Sequence, residues 1–537
     1  MRVVTSRAFA KPTCEHCANP PRFAWWSWRP PGAGLLAVAA ASALVVSLPV
    51  LYLIVRALQG GASTWVWLLS ERLPGLLGRS LLLASAATVL AASISLPLAW
   101  LVVRTDLPGR RWLTWLAALP LVFPPYVGAF AYVTLAYGHV DMHNVPGAAL
   151  VLALFTYPYM YLLLASALQS GHRSLEEAAR SSGLSSRQVF WRVTLPMLRP
   201  ALVAGGLLVA LYALSDFGAV AMLRVETFTA SIYLQLRGRF DRSAAAALSL
   251  VLVALTFLLL WAEGQMRRQG ARYYQTAGQG KPAEPVALGP WKWPALAFVW
   301  TVVGAAVGLP LGMLAFWSVE GFAVAPLSTK TVGYVVNSVV GAGGAALVAA
   351  LLAFPIAYLA ARYQGPLSQG IFRLAYAGYA LPGVVVALAT IFFFHTWANP
   401  LYGTVWAMLA AYVVRFLPQS LGATHAGLAA LSPSLEDAGR SLGLGSLAVL
   451  RRVTLPLIAP SLVTGAALVF LNVLKELPAT LLLRPAGFDT LAVRVWMEAD
   501  EGFYAKAAPS ALLLVLIASI PTALLLRRVL GGKARIS

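Results

Sequence analysis

Charged residues are scarce in this sequence: Asp, Glu, Lys and Arg make up only 11% of its 537 residues. Hydrophobic residues make up 59%, and the mean hydropathy is +0.75, which excludes an ordinary soluble domain of this length. Acidic residues are especially few, 19 against 40 Lys and Arg, so the net charge is +21. In a membrane protein such a basic excess reflects loop orientation, and we expect no nucleic-acid partner.

Cysteine is nearly absent, and the only two, Cys14 and Cys17, form the sequence CEHC with His16. Two thiols and one imidazole make an incomplete metal site, so we interpret this segment as a reduced cytosolic tail and predict no metal. The phosphate-binding pattern Gly-x4-Gly-Lys-Ser/Thr is also missing from the sequence. We therefore expect no ATPase site, no bound cofactor and no catalytic residues in this chain.

The sequence is rich in apolar runs of about 20 residues, enough for a helix to cross a bilayer. We predict an all-α integral membrane protein in a lipid bilayer, with about twelve transmembrane helices. They are placed near 35–56, 80–103, 112–137, 147–168, 200–223, 244–263, 293–317, 336–360, 371–396, 402–424, 460–483 and 509–526. The first 34 residues lack a convincing cleavage site, so 1–34 is predicted to be an uncleaved tail.

The pentapeptide RVTLP occurs twice, at 192–196 and 452–456. The match extends without a gap over 174–205 and 434–465, at an offset of 260 residues, and SLPLAWLVVR (95–104) matches AFPIAYLAAR (353–362). The chain is therefore predicted to be two six-helix repeats, with a polar linker between them. An even number of spans makes the repeats parallel, so they can enclose a pathway. The predicted units are the tail 1–34, the repeats 35–263 and 292–537, and the cytoplasmic linker 264–291.

The distribution of Lys and Arg predicts the orientation. With the N-terminus in the cytoplasm, far more basic residues fall inside than outside, as expected for the cytoplasmic side of a bacterial inner membrane. The loop 224–243, with four arginines, is the exception. Both termini are then cytoplasmic, as are two long loops, 170–198 and 426–458, that carry the RVTLP copies.

Each long loop is predicted to form a helix–turn–helix elbow. Ser174 and Ser434 are candidate N-caps and are followed by acidic residues, which favour a helix N-terminus. Gly183 and Gly443 are expected to end the first helix. The proline of each RVTLP copy is expected to break the second helix before the next span.

These elbows resemble the EAA loop of permease subunits in binding-protein-dependent ABC importers of type I. The resemblance implies a coupling helix that docks in a separate cytoplasmic ATPase, with one ATPase copy under each loop. It also implies the coupling residues, which are Glu176, Glu177, Ala178, Ala179, Gly183, Leu195 and Pro196 in the first repeat and Glu436, Asp437, Ala438, Gly439, Gly443, Leu455 and Pro456 in the second. Gly439 departs from the family pattern and predicts a less rigid second elbow.

Four ionisable residues fall within the predicted spans: Asp216, Arg415, Lys475 and Glu476. Charges at this depth are costly and usually face a cavity or a partner. The repeat alignment places Asp216 and Glu476 at one depth of span five in the two halves. Two carboxylates would suit a cation pathway, whereas neutralisation by Lys475 or Arg415 would make them packing contacts, and the sequence leaves both interpretations open.

Over nearly its whole length the sequence resembles fused permeases of ferric iron import systems. The similarity lies in RTDLPGRR (104–111), LSDFGAVAMLRVETFT (214–229), LPGVVVALA (381–389) and KELPATLLLRPAGFDTLAVRVW (475–496). It implies that an extracytoplasmic solute-binding protein delivers Fe(III). The outer loops 224–243 and 484–508 carry carboxyl groups and arginines, so they are either docking surfaces for this protein or plain solvated loops. The nearest alternative is the same fold with thiamine, sulfate or a polyamine as cargo. A twelve-helix secondary transporter is the alternative of another class, which would have no use for paired elbows.

Overall fold

The structure is a computed structural model that describes residues 32–170, 173–238, 241–274, 285–324, 329–363 and 365–531. These residues are helical, with a single isolated bridge and no strand among them. In this part of the chain nine helices are long and apolar enough to cross a membrane, or eleven if two bent pairs count as one span each. The predicted all-α membrane fold is confirmed. The cysteines of the predicted tail lie outside the described residues.

The described residues of the first half form twelve helices. Their bounds are α1 Ala33–Leu58, α2 Gly61–Trp67, α3 Leu73–Arg104, α4 Arg110–Ala118, α5 Pro125–Ala136, α6 Val145–Ser170, α7 Arg173–Ser181, α8 Ser186–Val189, α9 Leu195–Ser215, α10 Gly218–Met222, α11 Phe228–Arg237 and α12 Arg242–Tyr274.

The second half repeats this order. Its helices are α13 Lys292–Val303, α14 Leu309–Val324, α15 Thr329–Arg362, α16 Pro366–Tyr376, α17 Gly383–Trp397, α18 Val405–Ala430, α19 Pro433–Ser441, α20 Ser446–Val449, α21 Leu455–Leu474, α22 Pro478–Leu483, α23 Leu491–Asp500 and α24 Tyr504–Gly531. From α3 onward each helix has its counterpart twelve places later.

Two predicted spans, 112–137 and 371–396, are not continuous helices. The chain bends by 92° between α4 and α5, and by 114° between α16 and α17. Each bend lies at a proline in extended conformation, Pro124 with ψ 136° and Pro382 with ψ 145°. The residues before these prolines, Phe123 with ψ 128° and Leu381 with ψ 122°, are also extended, because a residue before proline is driven out of the helical region.

Two further spans, 200–223 and 460–483, end earlier than predicted. The helix α9 stops at Ser215 and α21 at Leu474, each next to the ionisable residues of span five. The predicted span 402–424 corresponds to α18, which has 26 residues but is not among the nine helices that are long and apolar enough to cross a membrane. Span five is therefore discontinuous in both halves, an arrangement that transporters use around a binding site.

The first span of each half packs against the other half. The helix α1 lies against α15, α16 and α17, and α14 contacts α5 besides α24 of its own half. Small residues on α1, among them Ala39 and Ala43, form its buried face. The two halves consequently share one core.

Two glycines at equivalent positions allow a close helix crossing in each half. A Cβ built on Gly205 of α9 would lie 2.8 Å from the Cα of Met160 in α6. A Cβ built on Gly465 of α21 would lie 3.0 Å from the Cα of Ser420 in α18. Both pairs are 260 residues apart, so the duplication preserved a backbone-to-backbone contact of the kind that small residues permit between membrane helices.

The described end of the linker is fastened to the loop after α3. The Val286 amide donates to the Arg104 carbonyl at 2.8 Å, and the Asp106 amide donates to the Val286 carbonyl at 3.1 Å. The Asp106 carboxylate accepts from the Leu288 amide at 3.0 Å and lies 3.3 Å from the Lys292 Nζ. The Leu288 hydrogen bond and the Lys292 charge lower the pKa of Asp106, so this carboxylate is ionised at neutral pH and the contact weakens only in acid.

Asp106→Ala is expected to free the amide of Leu288, because its only acceptor in the described structure is the Asp106 carboxylate. Hydrogen–deuterium exchange at Leu288 should accelerate by about tenfold, as expected for a lost bond to a charged acceptor. The amides of α13 should exchange as before. Acceleration throughout α13 would instead indicate that the substitution unfolds the start of the second half.

Candidate functional site

The two predicted elbows have the same backbone geometry. Helices α7 and α19 each end two residues before a glycine in the left-handed region, Gly183 with φ +85° and Gly443 with φ +84°. The amide of Leu184 then donates to Ala179 O, and that of Leu444 to Gly439 O, both at 3.2 Å. This is the hydrogen bonding of a glycine-terminated helix, so the predicted ends of the first elbow helices are confirmed.

Two details of the predicted elbows were wrong. Helix α19 begins at Pro433 with Ser432 as N-cap, so Ser434 lies inside the helix, as Ser174 lies inside α7. The proline of RVTLP does not break the chain either, because residues Ser186–Ser215 form one continuous apolar helix.

A π-turn precedes each of these prolines. Residues Phe190–Thr194 and Leu450–Thr454 adopt this wider turn directly before the Leu-Pro pairs at 195–196 and 455–456. A proline in an ordinary helix lacks an amide donor and clashes with the carbonyl four residues earlier. The carbonyl in question belongs to the π-turn, whose wider spacing lets the helix continue from the elbow into span five.

The elbows divide their acidic residues between two faces. Glu177 and Asp437 are exposed, as are the alanines that follow them, whereas Glu176 and Glu436 are buried at 9% and 2% exposure. A Cβ built on Gly439 would contact Val449 at 3.3 Å, so this glycine is packed inside the elbow. In each copy the second acidic residue and the following alanine thus face outward, whereas the first acidic residue faces inward.

The ionisable residues of span five lie at its break. Asp216 follows the end of α9, and its carboxylate accepts from the amides of Ala219 and Val220 at 2.9 and 3.3 Å. Glu476 similarly accepts from the amide of Ala479 at 3.2 Å. Both carboxylates therefore cap the short helices α10 and α22.

The second half adds a buried ion pair at this depth. Arg415 Nη1 lies 2.5 Å from the Glu476 carboxylate, whose side chain is 5% exposed. A Cβ on Gly383, the first residue of α17, would collide with both groups, so only glycine leaves room for the pair. In the repeat alignment Phe155 stands where Arg415 stands, so Asp216 lacks the corresponding partner.

Lys475 connects the halves. Its Nζ donates to the Leu121 carbonyl of the first half at 2.8 Å, so it does not neutralise the adjacent Glu476. Tyr126, which the sequence did not single out, lies within electrostatic reach of Asp216 and Glu476. Its hydroxyl is buried without a hydrogen-bond partner among the described residues. The arrangement gathers polar groups from both halves around the two broken helices.

The predicted outer loops are largely helical. Within 224–243 and 484–508 lie α11 and α23, and the amides of their first residues, Phe228 and Leu491, donate to the hydroxyls of Ser80 and Ser338 at 3.3 and 2.9 Å. Glu226 also bridges Arg72 and Arg79 of the first half, at 2.7 Å to each. These segments therefore present ordered, charged surfaces at the end of α3 away from the elbows.

In the described part of the chain no three His, Cys, Asp or Glu side chains are grouped so that they could hold a metal ion. The polar groups at the break of span five are two carboxylates, one ammonium, one guanidinium and a phenol. Such a site offers positively and negatively charged groups, but it does not surround a metal ion with ligands.

The sequence profile of the binding-protein-dependent transport system inner membrane component family matches residues 91–268 and again residues 353–531. The chain belongs to this family. This permease carries the family unit twice, and each match includes one elbow and one break of span five.

Curated relatives of the permease match it to different extents. The Fe(3+)-transport system permease protein FbpB 2 of Haemophilus influenzae is 34% identical over 90% of this chain and 96% of its own length. The ferric transport system permease protein FbpB of Actinobacillus pleuropneumoniae is 26% identical over 75% of this chain, which spans 64% of that relative. The sulfate transport system permease protein CysW of Escherichia coli is 31% identical over 47% of this chain. FbpB 2 of Haemophilus influenzae is thus matched almost end to end, across both repeats of this chain.

Proposed function

We propose that this permease imports Fe(III) across the bacterial inner membrane, using two copies of a cytoplasmic ATPase and an extracytoplasmic solute-binding protein. The observation that supports Fe(III) as the cargo is the 34% identity to an Fe(3+) permease over nearly the full length of both chains. The exposed, duplicated elbows support the ATPase docking, and we propose that both termini are cytoplasmic like the elbows. ATP is hydrolysed by the partner, and the permease binds no cofactor.

The docking proposal concerns the outward faces of the elbows, where Glu177 and Asp437 are exposed. Glu177→Lys combined with Asp437→Lys is expected to reduce the amount of ATPase that copurifies with the permease by about tenfold. Reversing charge at an interface brings like charges together and weakens association. The two positions are exposed, so the fold should persist, and thermal unfolding of the purified permease checks this.

Glu71→Lys is the matched control. Glu71 is also exposed, but it lies just before the first residue of α3, at the end of that helix away from the elbows. It should leave copurification unchanged. If the double variant retains both its ATPase and its iron uptake, the elbows do not couple the two proteins.

The proposed pathway runs between the halves, past Asp216 and the Arg415–Glu476 pair. Asp216→Asn keeps an oxygen that accepts from Ala219 and Val220 but removes the negative charge. Uptake of a cationic cargo should fall by about tenfold, the effect of losing roughly 1.4 kcal/mol of interaction, while thermal stability stays near wild type. A variant that unfolds early but transports normally when folded would assign Asp216 to packing alone.

Measuring substrate uptake in a strain that lacks the gene identifies the cargo. Radiolabelled iron should fail to accumulate in that strain and recover with the plasmid-borne permease, while thiamine uptake should not change. Sulfate is the second candidate, because Arg415 and Lys475 place two cationic groups at the pathway and a sulfate permease matches half of the chain. Loss of sulfate uptake with normal iron uptake would replace the first assignment with the second.

A further inference from the structure

A buried carboxylate ties the first elbow to the membrane helices. Glu176 Oε1 lies 3.1 Å from Arg104 Nη2, at the last residue of α3. It also accepts from the Thr194 hydroxyl at 3.1 Å, at the end of the π-turn that leads into α9. We call Arg104, Glu176 and Thr194 the first elbow anchor. Each member is less than a tenth exposed.

The second elbow has the same three groups in the same places. Glu436 Oε1 accepts from Arg362 Nη2 at 3.0 Å and from Arg362 Nε at 3.1 Å, where Arg362 is the last residue of α15. It accepts from the Thr454 hydroxyl at 3.1 Å. We call Arg362, Glu436 and Thr454 the second elbow anchor. Thr194 and Thr454 are the central residues of the two RVTLP copies, so the anchors explain the hydroxyl at that position.

The two anchors differ in strength. The second is reinforced by the Tyr358 hydroxyl, 3.1 Å from Glu436 Oε2, and by Arg362 Nη1, which donates to the carbonyls of Leu428 and Leu431 at the end of α18. In the first anchor Arg104 Nε is buried with no hydrogen-bond partner in the described structure. The second elbow, which contains Gly439, is therefore the one held by more hydrogen bonds to the membrane helices.

We propose that Glu176 and Glu436 are positioning residues that lock each elbow to the end of span two and the start of span five. A displacement of the elbow is then carried to α3 and α9, or to α15 and α21, as one rigid motion. Without the carboxylate the elbow can move while the membrane helices stay in place. This proposal rests on the proposed docking of an ATPase at the elbows, and it assigns a role to the inward carboxylates distinct from that of the outward ones.

The test compares Glu436→Gln and Glu176→Gln in the assembled importer, with Glu71→Gln as the exposed control. Uptake per ATP hydrolysed should fall about tenfold for Glu436→Gln and less for Glu176→Gln, within the range of coupling effects between sites. Glu71→Gln should leave this ratio unchanged. Thr454→Val, which keeps the side-chain shape and removes one hydrogen bond, should lower the ratio about threefold and serves if Glu436→Gln does not fold.

Uptake and ATP hydrolysis that fall together with an unchanged ratio would overturn the proposal, since a merely structural residue lowers both. An unchanged ratio with full uptake would overturn it as well.

A distance measurement makes the outcome independent of any ATPase. Spin labels are attached at Leu442→Cys and Leu367→Cys, where the wild-type leucines are 83% and 58% exposed. The distance between the labels reports the position of the second elbow relative to the start of α16. With Cys14 and Cys17 changed to Ser, the distance distribution in the isolated permease should broaden with Glu436→Gln. It should not change with Asp437→Asn, whose carboxylate is exposed. A narrow distribution in Glu436→Gln would refute the anchor, whereas a permease that binds no ATPase yet shows the broadening would refute only the proposed docking.

Discussion

Glu476→Gln is expected to lower the free energy of unfolding of the purified permease by about 3 kcal/mol, because it leaves the Arg415 guanidinium inside the protein without its counter-ion. Breaking a buried ion pair costs about 3–5 kcal/mol, and the lower value applies because the Arg415 side chain is 20% exposed. Thermal or denaturant-induced unfolding in detergent measures the change. Glutamine still offers an oxygen to the Ala479 amide, so the loss reports the ion pair and not the helix cap.

Replacing both members of the Arg415–Glu476 pair distinguishes the effect of the unpaired charge from the effect of the changed side-chain shape. Arg415→Gln combined with Glu476→Gln should recover most of the lost stability, since no uncompensated charge remains. Asp216→Asn provides the comparison in the first half, where the carboxylate accepts from two backbone amides. If Glu476→Gln were as stable as the wild type, Arg415 would have to find another partner when the pair is broken.

Leucine at either of the two crossing glycines is expected to separate the helices there and destabilise the protein by about 3 kcal/mol for each site. At Gly205 and Gly465 a Cβ would meet backbone atoms of α6 and α18, which cannot rotate away as a side chain can. The yield of folded protein in mild detergent and its midpoint of thermal unfolding would both fall.

Gly343→Leu is the matched control for the crossing glycines. This glycine lies in α15, and a Cβ there would meet no atom within 4 Å. Its unfolding midpoint should stay close to that of the wild type. Equal losses at all three positions would mean that glycine matters for helix insertion in general and not for the crossings.

The duplication made much of the fold predictable. Because the two elbow sequences align without a gap, their helices, turns and left-handed glycines could be placed from either copy. The anchors were within reach too: Arg104 and Arg362 occupy the same place in the matched segments, as do Glu176 and Glu436. Opposite charges preserved at the same two places in both copies were the signal.

The groups that differ between the halves could not be predicted in this way. Arg415 and Glu476 are 61 residues apart, and the first half has Phe155 in place of the arginine, so no repeated pattern marks the pair. The contact of Lys475 with the Leu121 carbonyl depends on how the halves pack, which no local spacing encodes. The breaks at Pro124 and Pro382 were more accessible, since FPP and LPG interrupt two otherwise continuous apolar runs.

The packing of α1 on α15, α16 and α17 has a consequence for biosynthesis. Besides α12 of its own half, α1 packs on these three helices, and it meets them only after the ribosome has passed Thr329, where α15 begins. At about 5–20 residues per second this wait lasts roughly 15–60 s. Throughout that interval the alanine-rich face of α1 is covered by lipid or by the insertion machinery, so a nascent chain stalled before α15 would expose that face to membrane quality control.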